Sequence, residues 1–324
     1  MGEEGVARGG ISGEGSQARS ASKETRAPTD SGMLLHIDAS KHQWFQDERW
    51  HDLIVILDDV TSQVYYAQLV EEESTRTVMA ALREVIEGKG AFCALYSDRA
   101  SHFFQTPKAG DVVDRQQLTQ VGRALAELKI EMIPAYSPQA RGRSERNFGT
   151  WQGRLPQELA FKGIKEVEQA NQFLRQSYIA EFNRKFSVAA AQSGNAFLPV
   201  RDKDLGMVFS LQHERVVSKD NTVRVANLCL QIERTGWGNS LAGCRVKVHQ
   251  HFDETLTIVY AGRVVGRYKS DGAGQEEAGT KKAMEKPVAA RPWKSLRDSH
   301  FPTATAATGK ISNRTDRVLV KRTF

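Results

Sequence analysis

The chain has 324 residues, of which 40% are hydrophobic and 26% are charged, and it contains three cysteines. At roughly 150 residues per domain, this length predicts about two domains with ample core. No apolar run approaches the roughly 18 residues that a membrane-spanning helix needs, which excludes a membrane protein. Because the cysteines are odd in number and far apart, we expect neither a disulfide framework nor a cysteine zinc site, and a reducing cytoplasm fits best.

Both ends of the chain have the composition of disordered segments. Residues 1–31 are rich in Gly and Ser and lack the apolar run of an export signal. From Thr280 to Phe324 there are eleven Lys or Arg and three acidic residues, a net charge of +8 that leaves the rest of the chain at −2. A basic flexible tail over 271–324 indicates a polyanionic partner, above all nucleic acid, although the charge is as consistent with a solvated tail that has no partner.

Between these ends, residues 32–190 alternate between strand and helix patterns. Short β-type runs predict three antiparallel strands, with a turn at 58–62 between the second and the third. Two segments with helical periodicity then follow, each before a further apolar run that predicts a strand. The predicted order is therefore β-β-β-α-β-α-β, before two further helices. The predicted strands are Met33–Ile37, Asp52–Leu57, Gln63–Leu69, Phe92–Tyr96 and Ile130–Ile133, and the predicted helices are Glu73–Glu87, Leu118–Leu128, one that starts near Arg143 and one over Val167–Phe186.

From residue 199 the pattern changes to strands and turns. Asp253-Glu254 and Ala261-Gly262 fall at expected hairpin turns, and the short β-type runs around them predict a small antiparallel β-barrel over 199–270. These runs are Val208–Leu211, Thr222–Ala226, Leu228–Glu233, Cys244–His249, Thr255–Tyr260 and Arg263–Tyr268.

Three acidic residues stand at the ends of predicted elements. Asp38 directly follows the first strand run, Asp98 follows the fourth, and Glu145 lies at the start of the third helix. If their carboxylates converge, they repel one another unless a divalent cation is bound, and hard oxygen ligands select Mg²⁺ or Mn²⁺. Two such ions about 3.5–4 Å apart can clamp the attacking and leaving oxygens of a phosphoryl displacement. Each residue taken alone is more often a turn former or a helix cap.

The segments around these residues resemble a known catalytic core. Asp38 after the first strand, Tyr96-Ser97-Asp98 after the fourth, and the string YSPQARGRSER from Tyr136 to Arg146 are similar to the D, D and E segments of the retroviral-integrase-type core. The third segment is the specific one, because it follows a strand and opens a helix. The chain looks like a bacterial insertion-sequence transposase of the ISNCY type over about residues 33–186, and more weakly to about 270.

The resemblance implies a fold, an activity and a site. The fold is α/β, an RNase H-like mixed five-stranded sheet with flanking helices that is followed by the small barrel. The activity is DNA cleavage by water and strand transfer by the freed 3′-hydroxyl, with Asp38, Asp98 and Glu145 as ligands of two Mg²⁺ or Mn²⁺ ions. The implied partners are DNA, in the bacterial nucleoid, and further copies of the chain in a homo-oligomer.

Two features depart from the usual pattern of this family. Asp98 and Glu145 are separated by 46 residues, which predicts an insertion, most naturally over Ser101–Arg115. Nothing before Met33 can form the helix-turn-helix region that such proteins usually carry, so we expect a truncated copy. Two other functions therefore stay open, namely a nuclease that hydrolyses DNA without joining it and an inactive remnant that acts as a DNA-binding protein.

The remaining candidates have more than one reading. Arg141, Arg143, Arg146 and Arg154 either hold DNA phosphates beside the metal ions or form a solvated face.

Three other positions are interpreted as structural. Asp58, with the acidic residue after it, lies between two strands, where a hairpin turn is a better interpretation than a metal site. Trp44 is expected to pack over the sheet rather than stack on a base. His249 is expected at the surface of the barrel.

Overall fold

The computed structural model describes residues 28–106, 112–114, 116–136, 138–190, 194–233 and 240–274, with only the backbone described for 138–145. Met1–Glu276 form one compact unit, and the second unit, Glu277–Phe324, lies outside the described residues. Most of the predicted disordered segment 1–31 and of the predicted basic tail 271–324 also lies outside them. No helix in the described part of the chain is both long and apolar enough to cross a membrane.

A mixed five-stranded sheet is the centre of the fold. Its strands are β1 (Leu34–His42), β2 (His51–Asp58), β3 (Val64–Val70), β4 (Ala94–Ser97) and β5 (Glu131–Pro134). The strand order is β3-β2-β1-β4-β5, in which β2 is antiparallel to both β1 and β3, while β4 is parallel to both β1 and β5. The predicted mixed five-stranded sheet, with its order of strands and helices, is confirmed.

The sheet is covered by helices on both faces, as its sequence pattern requires. Alternate residues of a strand point to opposite faces. In β2, Ile54 and Ile56 pack with helices α1 (Thr75–Lys89) and α2 (Gln120–Glu127) in one buried cluster. Leu53 and Val55 pack in a second cluster with α3 (Pro138–Phe161), α4 (Val167–Phe173) and α5 (Ile179–Phe186). The even-numbered positions of β1 lie on this second face, because Asp38 pairs with Val55.

Helix α1 begins and ends at signals that are visible in the sequence. Ser74 caps its N-terminus, since the Ser74 hydroxyl accepts the Thr77 N–H and Thr77 Oγ1 accepts the Ser74 N–H at 2.8 Å. Gly90 ends the helix with a φ of 104°, in the region that favours glycine. A Cβ at this position would lie 2.6 Å from the Leu198 carbonyl oxygen, so the site has no room for a side chain.

Two asparagines cover the outer edge of β3. Asn171 accepts the Leu69 N–H at 2.7 Å and donates to the Leu69 carbonyl at 2.8 Å. Asn183 forms the same pair of bonds with Val64, both at 2.8 Å. The two side-chain amides thus satisfy backbone groups that an edge strand would otherwise offer to another chain.

A π-helical turn, Leu174–Tyr178, separates α4 from α5 and explains how both asparagines reach the same edge. Asn171 and Asn183 are 12 residues apart, which places them about 120° apart around a regular α-helix of 3.6 residues per turn. A π turn accommodates one extra residue. The spacing then behaves like 11 residues, about three full turns, and the two side chains point in nearly the same direction.

The C-terminal part of the described chain forms an open sheet and a separate hairpin. A short helix, α6 (Leu205–Val208), precedes six strands: β6 (Leu211–Val216), β7 (Thr222–Val225), β8 (Leu228–Gln231), β9 (Arg245–Gln250), β10 (Leu256–Tyr260) and β11 (Arg263–Tyr268). Four of them form a sheet in the order β11-β10-β9-β6, and β7 pairs with β8. The two sheets share one buried core and are joined by a hydrogen bond from the Tyr268 hydroxyl to the Gln231 carbonyl at 2.9 Å.

The predicted closed barrel is not seen in the described residues, and one predicted strand boundary is wrong. The outer edge of β6 is occupied at Gln212, whose N–H donates to Gln120 Oε1 and whose carbonyl accepts from Gln120 Nε2. The Gln120 side chain of helix α2 therefore occupies backbone groups of β6 that a closing strand would need for pairing. The run predicted as a strand over Val208–Leu211 begins instead as the end of α6, because Asp204 caps that helix by accepting the N–H groups of its first turn.

Helix α2 also anchors the chain between the two sheets. Arg123 donates to the carbonyls of Val208 and Ser210 at 2.9 and 2.8 Å. Burial lowers the pKa of this guanidinium from its ordinary value. Phe209, which is 1% exposed, packs in the same cluster as α1 and α2. The C-terminal sheet is therefore attached to the main sheet through both polar and apolar contacts.

The turn between β2 and β3 is built on a buried carboxylate, as the turn interpretation of Asp58 predicts. Asp58 is fully buried and accepts the N–H groups of Gly32, Val60 and Thr61 at 2.8, 3.1 and 2.9 Å, together with the Thr61 hydroxyl at 2.9 Å. All of this bonding is to protein groups, which is what a structural carboxylate requires.

The outcome differs for two other residues that were interpreted as structural. Trp44 is fully buried and donates its indole N–H to the His51 carbonyl at 2.9 Å, so the packing interpretation is confirmed. The expectation for His249 is wrong, because this residue is only 5% exposed, with Nδ1 2.8 Å from Ser210 Oγ. Burial lowers the pKa of the His249 imidazole to about 4.

Candidate active site

Asp38 lies inside β1 and not after it. The apolar run ends at Ile37, but β1 continues to His42 because residues 38–42 pair with residues 51–55 of β2. The prediction that Asp38 marks the exit of the strand is therefore wrong, since backbone pairing extends beyond the apolar run. Its even-numbered position places Asp38 on the α3 face of the sheet. Its Oδ1 accepts the Ala39 N–H at 3.0 Å.

Asp98 directly follows β4, as the sequence predicts. Its Oδ1 accepts the Ala100 N–H at 3.0 Å, and its carbonyl accepts the Ser97 hydroxyl at 3.1 Å. The Ala100 carbonyl in turn accepts the N–H groups of Phe103 and Phe104. Asp98 therefore opens a tight turn whose two phenylalanines are buried in the core.

Asp38 and Asp98 each follow a paired residue of two adjacent parallel strands. β1 and β4 are parallel, and His36 is the partner of Tyr96. The rings of these two residues lie 5.0 Å apart between centroids, so the partners share one face of the sheet. Asp38 comes two residues after His36 on the same face of β1, and Asp98 comes two residues after Tyr96, just beyond the end of β4. The nearness of the two carboxylates stays a prediction.

Helix α3 crosses the face on which Asp38 lies. It contacts β1, and Gln152 donates from Nε2 to Ser40 Oγ at 2.8 Å. Ser40 is two residues after Asp38 and so shares its face of the strand. Position 145 is seven residues before Gln152, close to two full turns, and therefore lies on the same side of α3, about 10 Å nearer to its N-terminus.

Glu145 itself is only partly placed. Helix α3 begins at Pro138, five residues earlier than predicted, so Glu145 is in the third turn and not at the start of the helix. The backbone puts its position on the side that faces β1, while its side chain lies outside the described residues. The convergence of all three carboxylates thus stays a prediction. Ser40 and Gln152 were missed from sequence, although spacings of two on a strand and seven on a helix point to them.

The four arginines of the prediction are spread around α3. At about 100° per residue, position 141 falls on the same side of the helix as position 145, whereas positions 143, 146 and 154 fall on the other side. The Arg141 and Arg143 side chains lie outside the described residues, and Arg146 is exposed. The Arg154 guanidinium stacks on the ring of Phe186 in α5, 5.2 Å from its centroid.

The chemistry of the donor set fits a hard divalent cation. Asp38 and Asp98 supply carboxylate oxygens, which Mg²⁺ and Mn²⁺ prefer to nitrogen or sulfur. Among the side chains that the structure describes, which do not include Glu145, no three His, Cys, Asp or Glu residues are grouped closely enough to hold a metal ion. A complete site therefore needs a third ligand, and position 145 is on the correct side of α3 to provide it.

The segment between Asp98 and α2 is folded onto the core at both of its described ends. Phe103, Phe104 and Val113 are buried in the cluster with α1 and α2. Gln105 and Asp114 pair in an antiparallel bridge, while residues 107–111 and 115 lie outside the described residues. The extra length expected at Ser101–Arg115 is thus attached to the fold beside the turn that carries Asp98.

Comparison with known proteins agrees with this architecture. No protein-family model matches the chain. The chain is 33% identical over 234 residues to y4bF of Sinorhizobium fredii, a transposase by name, across 71% of this chain and 50% of that one. It is 30% identical over 199 residues to the transposase for insertion sequence IS1202 of Streptococcus pneumoniae, across 61% of this chain and 42% of that one. The chain is a homologue of insertion-sequence transposases.

This transposase homologue spans about half the length of the curated relatives it matches. Among solved structures, it is similar to the HTLV-2 integrase catalytic core domain in complex with magnesium, with a TM-score of 0.34 at 15% identity. That similarity covers 46% of this chain and 90% of the integrase chain.

Proposed function

We propose that this chain carries the catalytic core of a DNA transposase that cleaves DNA and transfers the cleaved strand in a reaction dependent on Mg²⁺ or Mn²⁺. In this proposal, Asp38, Asp98 and Glu145 hold two metal ions. The observation that carries it is the pairing of His36 in β1 with Tyr96 in the parallel strand β4, because Asp38 and Asp98 each come two residues later in the chain, and α3 contacts the same face of β1. The homology to insertion-sequence transposases supports the same class of reaction.

The proposed chemistry is a pair of phosphoryl displacements. Water attacks a phosphodiester and displaces a 3′-hydroxyl, which then attacks a second phosphodiester and displaces the 3′-hydroxyl of that strand, so that the two strands are joined. Bound divalent ions supply the positive charge that stabilises the attacking and leaving oxygens. No side chain of the protein has to act as a nucleophile, so the demand on the chain is accurate positioning.

The fold supplies that positioning through backbone and side-chain contacts. β1 pairs with β2 at Asp38 and with β4 up to His36, which holds the strand at this position. The Ala100 N–H orients the Asp98 carboxylate. The bond between Gln152 and Ser40 fixes α3 on β1 and thereby sets the place of position 145. Sites built on strands and helices in this way are more precise than sites built on loops.

DNA is the proposed partner, bound by copies of the chain in a homo-oligomer. Arg141 is on the same side of α3 as position 145 and is the best placed of the four arginines to contact a phosphate at the site. Arg143, Arg146 and Arg154 would meet DNA that runs along the outer side of the helix. Exposed basic residues of β9, such as Arg245 and Lys247, extend the positive surface.

The test uses the purified chain with labelled duplexes that carry the inverted repeats flanking its reading frame, in Mg²⁺ or Mn²⁺. We expect nicked and joined products from the wild type and a loss of at least about 100-fold for Asp98→Asn and Glu145→Gln, because each substitution removes a charged metal ligand. Glu158→Gln changes a carboxylate elsewhere on α3 and serves as the matched control.

Three outcomes would contradict the proposal. Products from Glu145→Gln that equal those of the wild type would remove Glu145 from the site. Cleavage with no joined product in any condition would indicate a nuclease. Salt-sensitive DNA binding without cleavage, indifferent to Asp98→Asn, would indicate a DNA-binding protein without catalytic activity. Light scattering of the mixture of protein and DNA tests the oligomer, for which a single copy per duplex is the contrary result.

A further inference from the structure

A mostly buried pair of polar side chains, His102 and Glu73, joins the turn after Asp98 to the start of α1. His102 Nε2 lies 3.2 Å from Glu73 Oε1, and the two side chains are 12% and 19% exposed. Glu73 directly precedes the capping residue of α1, and its own N–H donates to Asp52 Oδ2 at 2.7 Å. Glu73 is therefore attached to a rigid element, and it is not one of the proposed metal ligands.

The pair lies at the edge of the sheet that carries the candidate site. β1, β3 and β4 run in the same direction. Their C-terminal ends consequently point the same way, and the segments 71–74 and 98–104 leave β3 and β4 toward that side. The contact between Glu73 and His102 closes one segment on the other, across 29 residues of sequence.

Next to Asp98, the Arg99 guanidinium lies 5.3 Å from the centroid of the Tyr136 ring, and other described attachments of the turn lie further along the chain. Phe103 is 2% exposed in the core, and its carbonyl accepts the Thr119 hydroxyl at 3.0 Å. These contacts hold the far end of the turn. The His102 contact holds the middle of the turn and links it to the residue before the cap of α1.

We propose that Glu73 and His102 form a positioning pair that fixes the turn 98–104 on the N-terminus of α1 and so orients the Asp98 carboxylate toward Asp38. This inference rests on the proposed function, because it treats Asp98 as a metal ligand. Residues that orient metal ligands without touching the metal typically change metal affinity 10–100-fold when they are replaced. Breaking a mostly buried pair also leaves its remaining member without a partner, which favours movement of the turn.

The test measures Mn²⁺ binding to the whole chain by calorimetry, with the Mg²⁺ dependence of DNA cleavage as a second readout. We expect His102→Ala and Glu73→Ala each to weaken Mn²⁺ binding about tenfold, and the double variant to be no weaker than either one. His102→Gln keeps a donor N–H within reach of Glu73 and should stay within about twofold of the wild type. Glu87→Gln, which breaks the exposed ion pair with Arg83 on the same helix, is the control.

The outcomes separate this inference from the proposed function. Wild-type Mn²⁺ affinity in His102→Ala, beside weakened binding in Asp98→Asn, overturns the positioning pair alone. Losses that add in the double variant overturn it as well, because the two residues would then act separately. Mn²⁺ binding by Asp98→Asn that is as tight as that of the wild type overturns the proposed function itself. Should His102→Ala fail to fold, the comparison of Glu73→Ala with His102→Gln decides by the same criteria.

Discussion

Deleting Gln176, an exposed residue of the π-helical turn, should leave the protein as stable as the wild type. The deletion shortens the spacing between Asn171 and Asn183 to 11 residues, which a regular α-helix presents on one side. It also brings the buried Leu174 and Tyr178 to a spacing of three, which still fits one helical face. Both asparagine pairs with β3 are thereby kept while the unusual turn is removed.

Replacing either asparagine should lower the free energy of unfolding, by an amount that depends on how deeply its hydrogen bonds to β3 are buried. Asn171→Ala leaves both the N–H and the carbonyl of Leu69 buried without a partner. At about 1–3 kcal/mol for each of the two buried unsatisfied groups, the free energy of unfolding should fall by about 2–6 kcal/mol. The Asn183 pair is only partly buried, so water replaces it and Asn183→Ala should cost about 1–2 kcal/mol.

Urea unfolding followed by far-ultraviolet circular dichroism measures both effects. The matched control is the insertion of one alanine after Gln176, which lengthens the spacing to 13 residues and forces one asparagine off the strand. We expect this insertion to cost about as much as Asn183→Ala. A deletion of Gln176 that costs more than about 2 kcal/mol, or an insertion that costs nothing, would refute the argument that the π turn exists to align the asparagines.

The remaining predictions concern stability at two buried polar groups. The pKa of His249 falls from 6.5 to about 4 on folding, so between these pH values the unfolded chain binds more protons than the folded chain, and the free energy of unfolding decreases as the pH falls. From pH 7 to pH 5 this loss is about 2 kcal/mol. The loss should be absent in His249→Gln when both proteins are unfolded in urea at each pH. An equal pH dependence in the two proteins would contradict this. Asp58→Ala removes the acceptor of three N–H groups at the turn and should lower the free energy of unfolding by about 3 kcal/mol or more in the same assay, whereas a loss below 1 kcal/mol would mean that water satisfies the turn.

Much of the main sheet could be predicted because its signals are local. The helix that starts after Ser74 has its cap in the sequence, and the long predicted helix over 167–186 has the right extent. The end of β1 could not be predicted, because polar residues stay in a strand when a neighbouring strand pairs with them. The π turn was also invisible, since it results from fitting one helix to two places on β3.

The candidate site divides in the same way. Asp98 was predicted in its correct place because a strand run ends just before it. The contact of Gln152 with Ser40 and that of His102 with Glu73 depend on how elements far apart in sequence pack. The barrel was predicted from short strand runs and hairpin turns, and these local signals do not decide closure. The Gln120 side chain on the edge of β6 is a tertiary contact of this kind.

For this chain, the sequence by itself determined the order of strands and helices, the turn at Asp58 and the acidic residues worth testing, because hydrophobic periodicity, caps and turn residues act over a few neighbouring positions. Only the tertiary structure decided which face of the sheet carries Asp38, which side of α3 faces that strand and which contacts attach the C-terminal sheet to the main sheet. Those properties depend on strand register and on packing between distant segments. A shift of register by one residue would turn Asp38 to the opposite face without any change of sequence.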